Sequence, residues 1–143
     1  HLPRGATERA YRAEGFGIEI SNGFDLARAD GALAILATRP NMTGCVLRIA
    51  EASGAIIDRH VFKDECVATA WSHDGSTLIV STIATPVDSS LWRLDRAAGA
   101  PTRLPIDQPA FHDLAHSPAG LLYTTGNPRF AMMMLTGIAS GRR

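Results

Sequence analysis

The 143-residue sequence lacks much of what would point to an obvious function. It has no net charge, with 14 basic and 14 acidic side chains, so bulk electrostatics give no case for nucleic acid or an anionic membrane. No apolar run approaches the ~18 residues needed to cross a bilayer, which excludes a helical membrane span. Lys63 is the only lysine among the basic residues, and the arginines are scattered among as many acids, as codon bias in a GC-rich genome would leave them. Two cysteines are too few for a disulfide scaffold and have no CxxC spacing for a metal or redox site. Cys45 and Cys66 therefore read as two half-buried thiols in or beside strands, the alternative being a Cys45–Cys66 bridge in an oxidising compartment. The first residues, His1 to Gly5, show neither an initiator Met nor a signal-peptide core, the expectation for a processed or excised chain.

What the chain does have is self-similarity. Phe24–Thr38, Val67–Thr82 and Phe111–Thr125 each read as a short strand, a tight turn closing on glycine, and an apolar strand. The glycines of these turns are Gly31, Gly75 and Gly120, spaced by 44 and 45 residues. Leu47-Arg48-Ile49 before Gly54 matches Trp92-Arg93-Leu94 before Gly99 at the same interval.

Within the middle unit four strands are predicted: Val67–Trp71, Thr77–Ser81, Ser90–Asp95 and Pro101–Leu104. Ser72-His73-Asp74-Gly75 forms the first turn, because Asp can bond its own backbone and Gly takes positive φ. The run Thr77–Ser81 is expected to be buried on both faces. In Ser90–Asp95, Leu91, Arg93 and Asp95 alternate with Trp92 and Leu94. The first unit ends on a strand at Ile56–Phe62, and the third reaches Ala131–Leu135. Ahead of the first unit, Thr7 is placed to cap a short helix, Glu8–Glu14, ended by Gly15, and Phe16, Ile18 and Ile20 suggest the last strand of a preceding unit.

A period near 44 residues with four short strands is the signature of a β-propeller blade. The fold class expected is all-β, with about three four-stranded antiparallel β-propeller blades forming a partial propeller. The boundaries are 1–22 for the N-terminal segment and preceding strand, 23–63 and 64–107 for two blades, and 108–143 for an incomplete third. Trp71-Ser72-His73-Asp74-Gly75 and Ser90-Leu91-Trp92-Arg93-Leu94-Asp95, followed by Gly99 to Leu104, resemble the repeats of TolB-like and WD40-like propellers. His116-Ser117-Pro118-Ala119-Gly120 is similar to the first of these. No Gly-His pair occurs, and Leu94-Asp95 stands where WD40 repeats carry Trp-Asp, which favours the TolB-like type. The segment from Thr124 through Arg129 to Arg142 resembles the closing blade of prolyl-oligopeptidase-like serine hydrolases.

Catalytic motifs are not evident. Gly137-Ile138-Ala139-Ser140-Gly141 puts its serine one position late for a nucleophile elbow. Ser72-His73-Asp74 is a turn, since triad members meet from separate elements. His60, His73, His112 and His116 lack metal-site spacing, and Gly15-Phe16-Gly17 is no phosphate loop, so neither metal nor cofactor is expected. Asn41-Met42-Thr43 matches a glycosylation acceptor in a loop. His112 and Asp113, near the start of a first strand where propellers line their channel, join His73 and Arg129 as the candidate binding surface.

Three functions follow as expectations. The first is a non-catalytic scaffold for a protein or peptide. The second is the substrate-gating propeller of a serine peptidase whose catalytic domain lies elsewhere. The third is the periplasmic sensor part of a bacterial regulator. Blades bury their faces on neighbours, so partners in the form of other blades, a catalytic domain on another chain, or self-association into about six blades are expected.

Overall fold

A computed structural model describes residues 20–38, 43–85, 88–106, 111–125 and 132–135. The helix expected at Glu8–Glu14, the strand residues Phe16 and Ile18, the loop at Pro86 and the segment 136–143 lie outside the described residues.

Eleven strands are described, and the first four form one antiparallel meander: β1 (Ile20–Leu26), β2 (Leu33–Thr38), β3 (Cys45–Ala50) and β4 (Ile56–Phe62). A second meander contains β5 (Glu65–Trp71), β6 (Thr77–Thr85), β7 (Asp88–Asp95) and β8 (Thr102–Arg103). The third holds β9 (Phe111–Ser117), β10 (Gly120–Thr125) and β11 (Met132–Leu135), with β10 in the middle. Ile56–Phe62 matches its expected bounds, whereas β1 starts at Ile20 and so takes in a residue assigned to a preceding unit.

The first two sheets open on equivalent hairpins. Ala27 N–H donates to Ala32 O (2.8 Å) and Ser72 N–H to Thr77 O (2.8 Å), so by pairing the two turns repeat at 45 residues. Each turn is held by an aspartate: Asp30 Oδ1 accepts from Ala32 N–H and Asp74 Oδ1 from Ser76 N–H, both at 3.1 Å. The Asp-Gly pair sits one position differently in the two turns. Gly31 N–H reaches back four residues to Ala27 O while Gly75 N–H reaches back three to Ser72 O, which is why the glycines are spaced by 44. The third hairpin is shorter, with Ser117 paired directly to Gly120.

Alternation along the strands sorts side chains into two cores. Between the first and second sheets lie Ala34, Leu36, Leu47, Ile49, Phe62, Trp71, Leu78, Val80 and Leu94, with Trp92 packed against them. Between the second and third lie Ala70, Ile79, Leu91, Leu121 and Tyr123, backed by Leu104, Ile106 and Leu114. Strand β6 is thus buried on both faces, and β7 sends Trp92 and Leu94 one way and Leu91 the other, as the alternation predicts. Each fully buried Leu, Ile or Val among them contributes roughly 1.5–3 kcal/mol. Trp92 also meets Phe62 edge-on at 5.6 Å and donates its indole N–H to Thr82 Oγ1 (2.9 Å).

The reading of the cysteines as separate thiols is corrected. Cys45 at the start of β3 and Cys66 on β5 are joined in a disulfide, with Cα atoms 5.6 Å apart, inside the first core. Spacing in sequence does not reveal that packing one sheet on the next brings β3 and β5 together. On the opposite face of the first sheet Phe24, Leu26, Ile57 and Val61 remain exposed, Phe24 at 73%.

Candidate functional site

The strand ends near the tight turns carry a polar cleft, a cavity of about 310 Å³ between the second and third sheets. Its walls are the β5–β6 turn (Ser72, His73, Asp74, Ser76, Thr77), Arg93 on β7, and His116, Ser117 and Pro118 from the third hairpin. Three features leave the space open: the third hairpin is short, His116 stands opposite Leu121 where Trp71 stands opposite Leu78, and the second turn is polar where the first has Ala27, Ala29 and Ala32.

Ser72-His73-Asp74 is a turn, as its sequence indicates. Ser72 Oγ donates to Asp74 Oδ1 at 2.6 Å, and the same oxygen accepts from the Ser76 amide and hydroxyl (2.8 Å), while His73 is exposed. The Ser72 hydroxyl, then the Ser76 amide and hydroxyl, hold the Asp74 carboxyl down at about 2. On the cleft's other wall Arg93 Nε donates to Asp95 Oδ1 (2.8 Å), which also accepts from Thr77 Oγ1 (2.9 Å). The Arg93 hydrogen bond, aided by Thr77 against some desolvation, keeps Asp95 below its usual range.

Of the residues singled out in the sequence, His73 lines this cleft and Asp113 does not. Asp113 lies three residues before His116 on β9, or roughly 10 Å along the strand. Its carboxylate accepts from Thr124 Oγ1 (3.2 Å), its amide donates to the same oxygen (3.1 Å), and it borders a hollow of about 180 Å³ with Leu122 and Tyr123. His112 neighbours it on β9, and Arg129 lies outside the described residues. His60 pairs with Asp58 on its own strand (2.9 Å). Among the described residues no group of three His, Cys, Asp or Glu is placed to hold a metal, and no helix is long and apolar enough to cross a membrane.

Sequence reasoning missed the contacts that join one sheet to the next. Asp25 Oδ2 accepts from the Trp71 amide (2.6 Å), and Arg96 of the β7–β8 turn reaches back to Asp30 Oδ2 (2.5 Å) with its guanidinium 5.4 Å from the Trp71 ring. The 45-residue repeat was the available signal, since it aligns the turn of one unit with the turn of the next.

Consecutive antiparallel meanders packed face to face, two of four strands and one with three described, define an all-β, propeller-type array. Comparison with solved structures agrees: the chain is similar to the β-propeller domain of Cps50 (Swd1) from Myceliophteria thermophila, with a TM-score of 0.52 and 17% identity. The match covers 82% of this chain and 38% of that one, and at this identity the likeness is one of fold. No protein-family model matches the sequence, and no curated protein does.

Proposed function

We propose that this chain is a binding module, a set of propeller blades that presents its strand ends to a protein or peptide. One observation carries the reading: the turn ends of adjacent blades enclose a polar cleft whose charged groups are held by fixed turns rather than paired as nucleophile and base. In this reading the blades run over 23–63, 64–107 and 108–143, and His73 belongs to the contact surface. Asp113, with His112 beside it on β9, is assigned to a second surface at the opposite strand ends, and Arg129 stays a candidate contact residue on its sequence alone. Exposed Phe24, Leu26, Ile57 and Val61 support a further contact through the first sheet, with another blade or a second copy of the chain. Neither the hydrolase nor the sensor reading gains support from a likeness of fold alone.

Peptide display against the folded chain, with bound peptides mapped by amide chemical shifts, tests the proposal. Peptides that bind saturably at strand-end residues are the expected result. A folded protein that selects no peptide from a diverse library would overturn it.

A further inference from the structure

The two inter-sheet contacts at the turn end differ in one component. Between the first and second sheets, Asp30 Oδ1 is taken by the Ala32 amide, and its Oδ2 receives the Arg96 guanidinium. Arg96 also reaches the Gly75 carbonyl (3.4 Å) and covers the Trp71 ring. Between the second and third sheets the acceptor half of that clamp is repeated. Asp74 Oδ1 is taken by the Ser76 amide and two hydroxyls, while among the described residues its Oδ2 accepts nothing. His116 provides a ring at the register position of Trp71.

By register, the sequence does not repeat the donor half. Leu94 pairs with Leu78, and two residues beyond it stands Arg96. Leu135 pairs with Leu121, and two residues beyond it the sequence has Gly137. Arg93, the cation lining the cleft, is already committed to Asp95, so among the described residues the Asp74 carboxylate is the wall charge left without an ionic partner.

We propose that this cleft takes an arginine guanidinium from a partner polypeptide, docked on Asp74 Oδ2 and stacked against the His116 ring. The proposal rests on the binding-module reading and deepens it by naming the chemistry recognised. A guanidinium suits the site because it donates along one edge to a carboxylate while its planar face lies on an aromatic ring. The Asp74 carboxylate stays ionised throughout the neutral and mildly acid range, which keeps the site ready for a cation.

The test is an amide-shift titration of the whole chain with acetyl-Gly-Arg-Gly-amide and with the same peptide carrying citrulline, which is uncharged and nearly isosteric. The arginine peptide should move the amides of Ser72–Thr77, His116 and Ser117 saturably, and citrulline should bind about tenfold more weakly or not at all, a loss of about 1.4 kcal/mol or more. Asp74→Asn, which keeps an oxygen for the Ser76 amide, should weaken arginine binding to a similar degree, and Arg103→Ala should not. Equal binding of citrulline to the wild-type chain overturns the proposal even if Asp74→Asn fails to fold. Movement of the same amides on Arg142→Ala or Arg143→Ala without peptide would overturn it too, because the chain's own arginine would then be the occupant. If display selects peptides that bind elsewhere while the arginine peptide does not bind, only this inference fails; if nothing binds, the binding-module reading fails with it.

Discussion

Asp25 on β1 accepts a 2.6 Å hydrogen bond from the backbone amide of Trp71, 46 residues away on β5, the first strand of the next sheet. The bond ties the ends of two neighbouring strands that belong to different hairpins and share no ladder. Removing the carboxylate leaves a partly buried N–H without its partner, at a cost of about 1–3 kcal/mol. Asp25→Ala should therefore lower the urea midpoint, with Asp25→Asn intermediate. An unchanged midpoint for the alanine variant would show that water replaces the carboxylate freely.

Arg96 and Asp30 form the second tie, at a more exposed place. Their coupling in a double-mutant cycle should be about 0.2–1 kcal/mol, the range for solvent-accessible pairs, and smaller in high salt. Arg96→Ala should cost more than Asp30→Ala, because the arginine also covers the face of buried Trp71.

Acid should weaken the fold through these turns. The Arg96 hydrogen bond and then the Ala32 amide hold Asp30 below its ordinary 3.8, and the seryl groups hold Asp74 down at about 2. Both folded-state values are depressed, so the unfolded chain takes up protons first. The stabilisation is complete above the ordinary carboxylate range and is lost as pH falls from there toward about 2. Urea midpoints measured at successive pH values between 5 and 2 should fall, and Asp74→Asn should flatten the lower part of the curve. A parallel curve for that variant would disprove the assignment.

Reduction should loosen the contact between the first two sheets. The bridge closes a loop of 21 residues, for which the chain-entropy relation gives about 3 kcal/mol. A reducing agent, or a Cys45→Ala/Cys66→Ala double variant, should lower the melting temperature. Without reductant, the native protein should resist alkylation even after unfolding.

Gly44, just before β3, has a φ of 86°, and a Cβ there would run into the Phe62 carbonyl oxygen and the backbone of Lys63. Gly44→Ala should destabilise by about 2 kcal/mol or more, since neither the backbone angle nor the space suits a side chain. Gly99, with positive φ but nothing near its missing Cβ, provides the comparison: Gly99→Ala should cost less.

The parts of this fold that depend on local order were legible in the sequence. Strand β4, the two-faced burial of β6 and the division of β7 between Leu91 and the Trp92–Leu94 pair all follow from alternation within a few residues. So does the Asp74 turn, whose bonds span two residues. The bond from Asp25 to Trp71, the reach of Arg96 to Asp30 and the meeting of Cys45 with Cys66 depend on how one sheet stacks on the next. No residue in those pairs is unusual for its own strand or turn. The cleft lay between these cases, since His73 and His116 drew attention singly but the space between them comes from a hairpin shortened in the third unit.

The bridge between Cys45 and Cys66 also has a mechanical consequence. All of β4, and all of β3 beyond Cys45, lie inside the covalent loop, so tension applied to the two ends of the chain passes from Cys45 straight to Cys66. Pulled as a single molecule, the oxidised chain should withhold roughly 65–70 Å of contour length that the reduced chain releases.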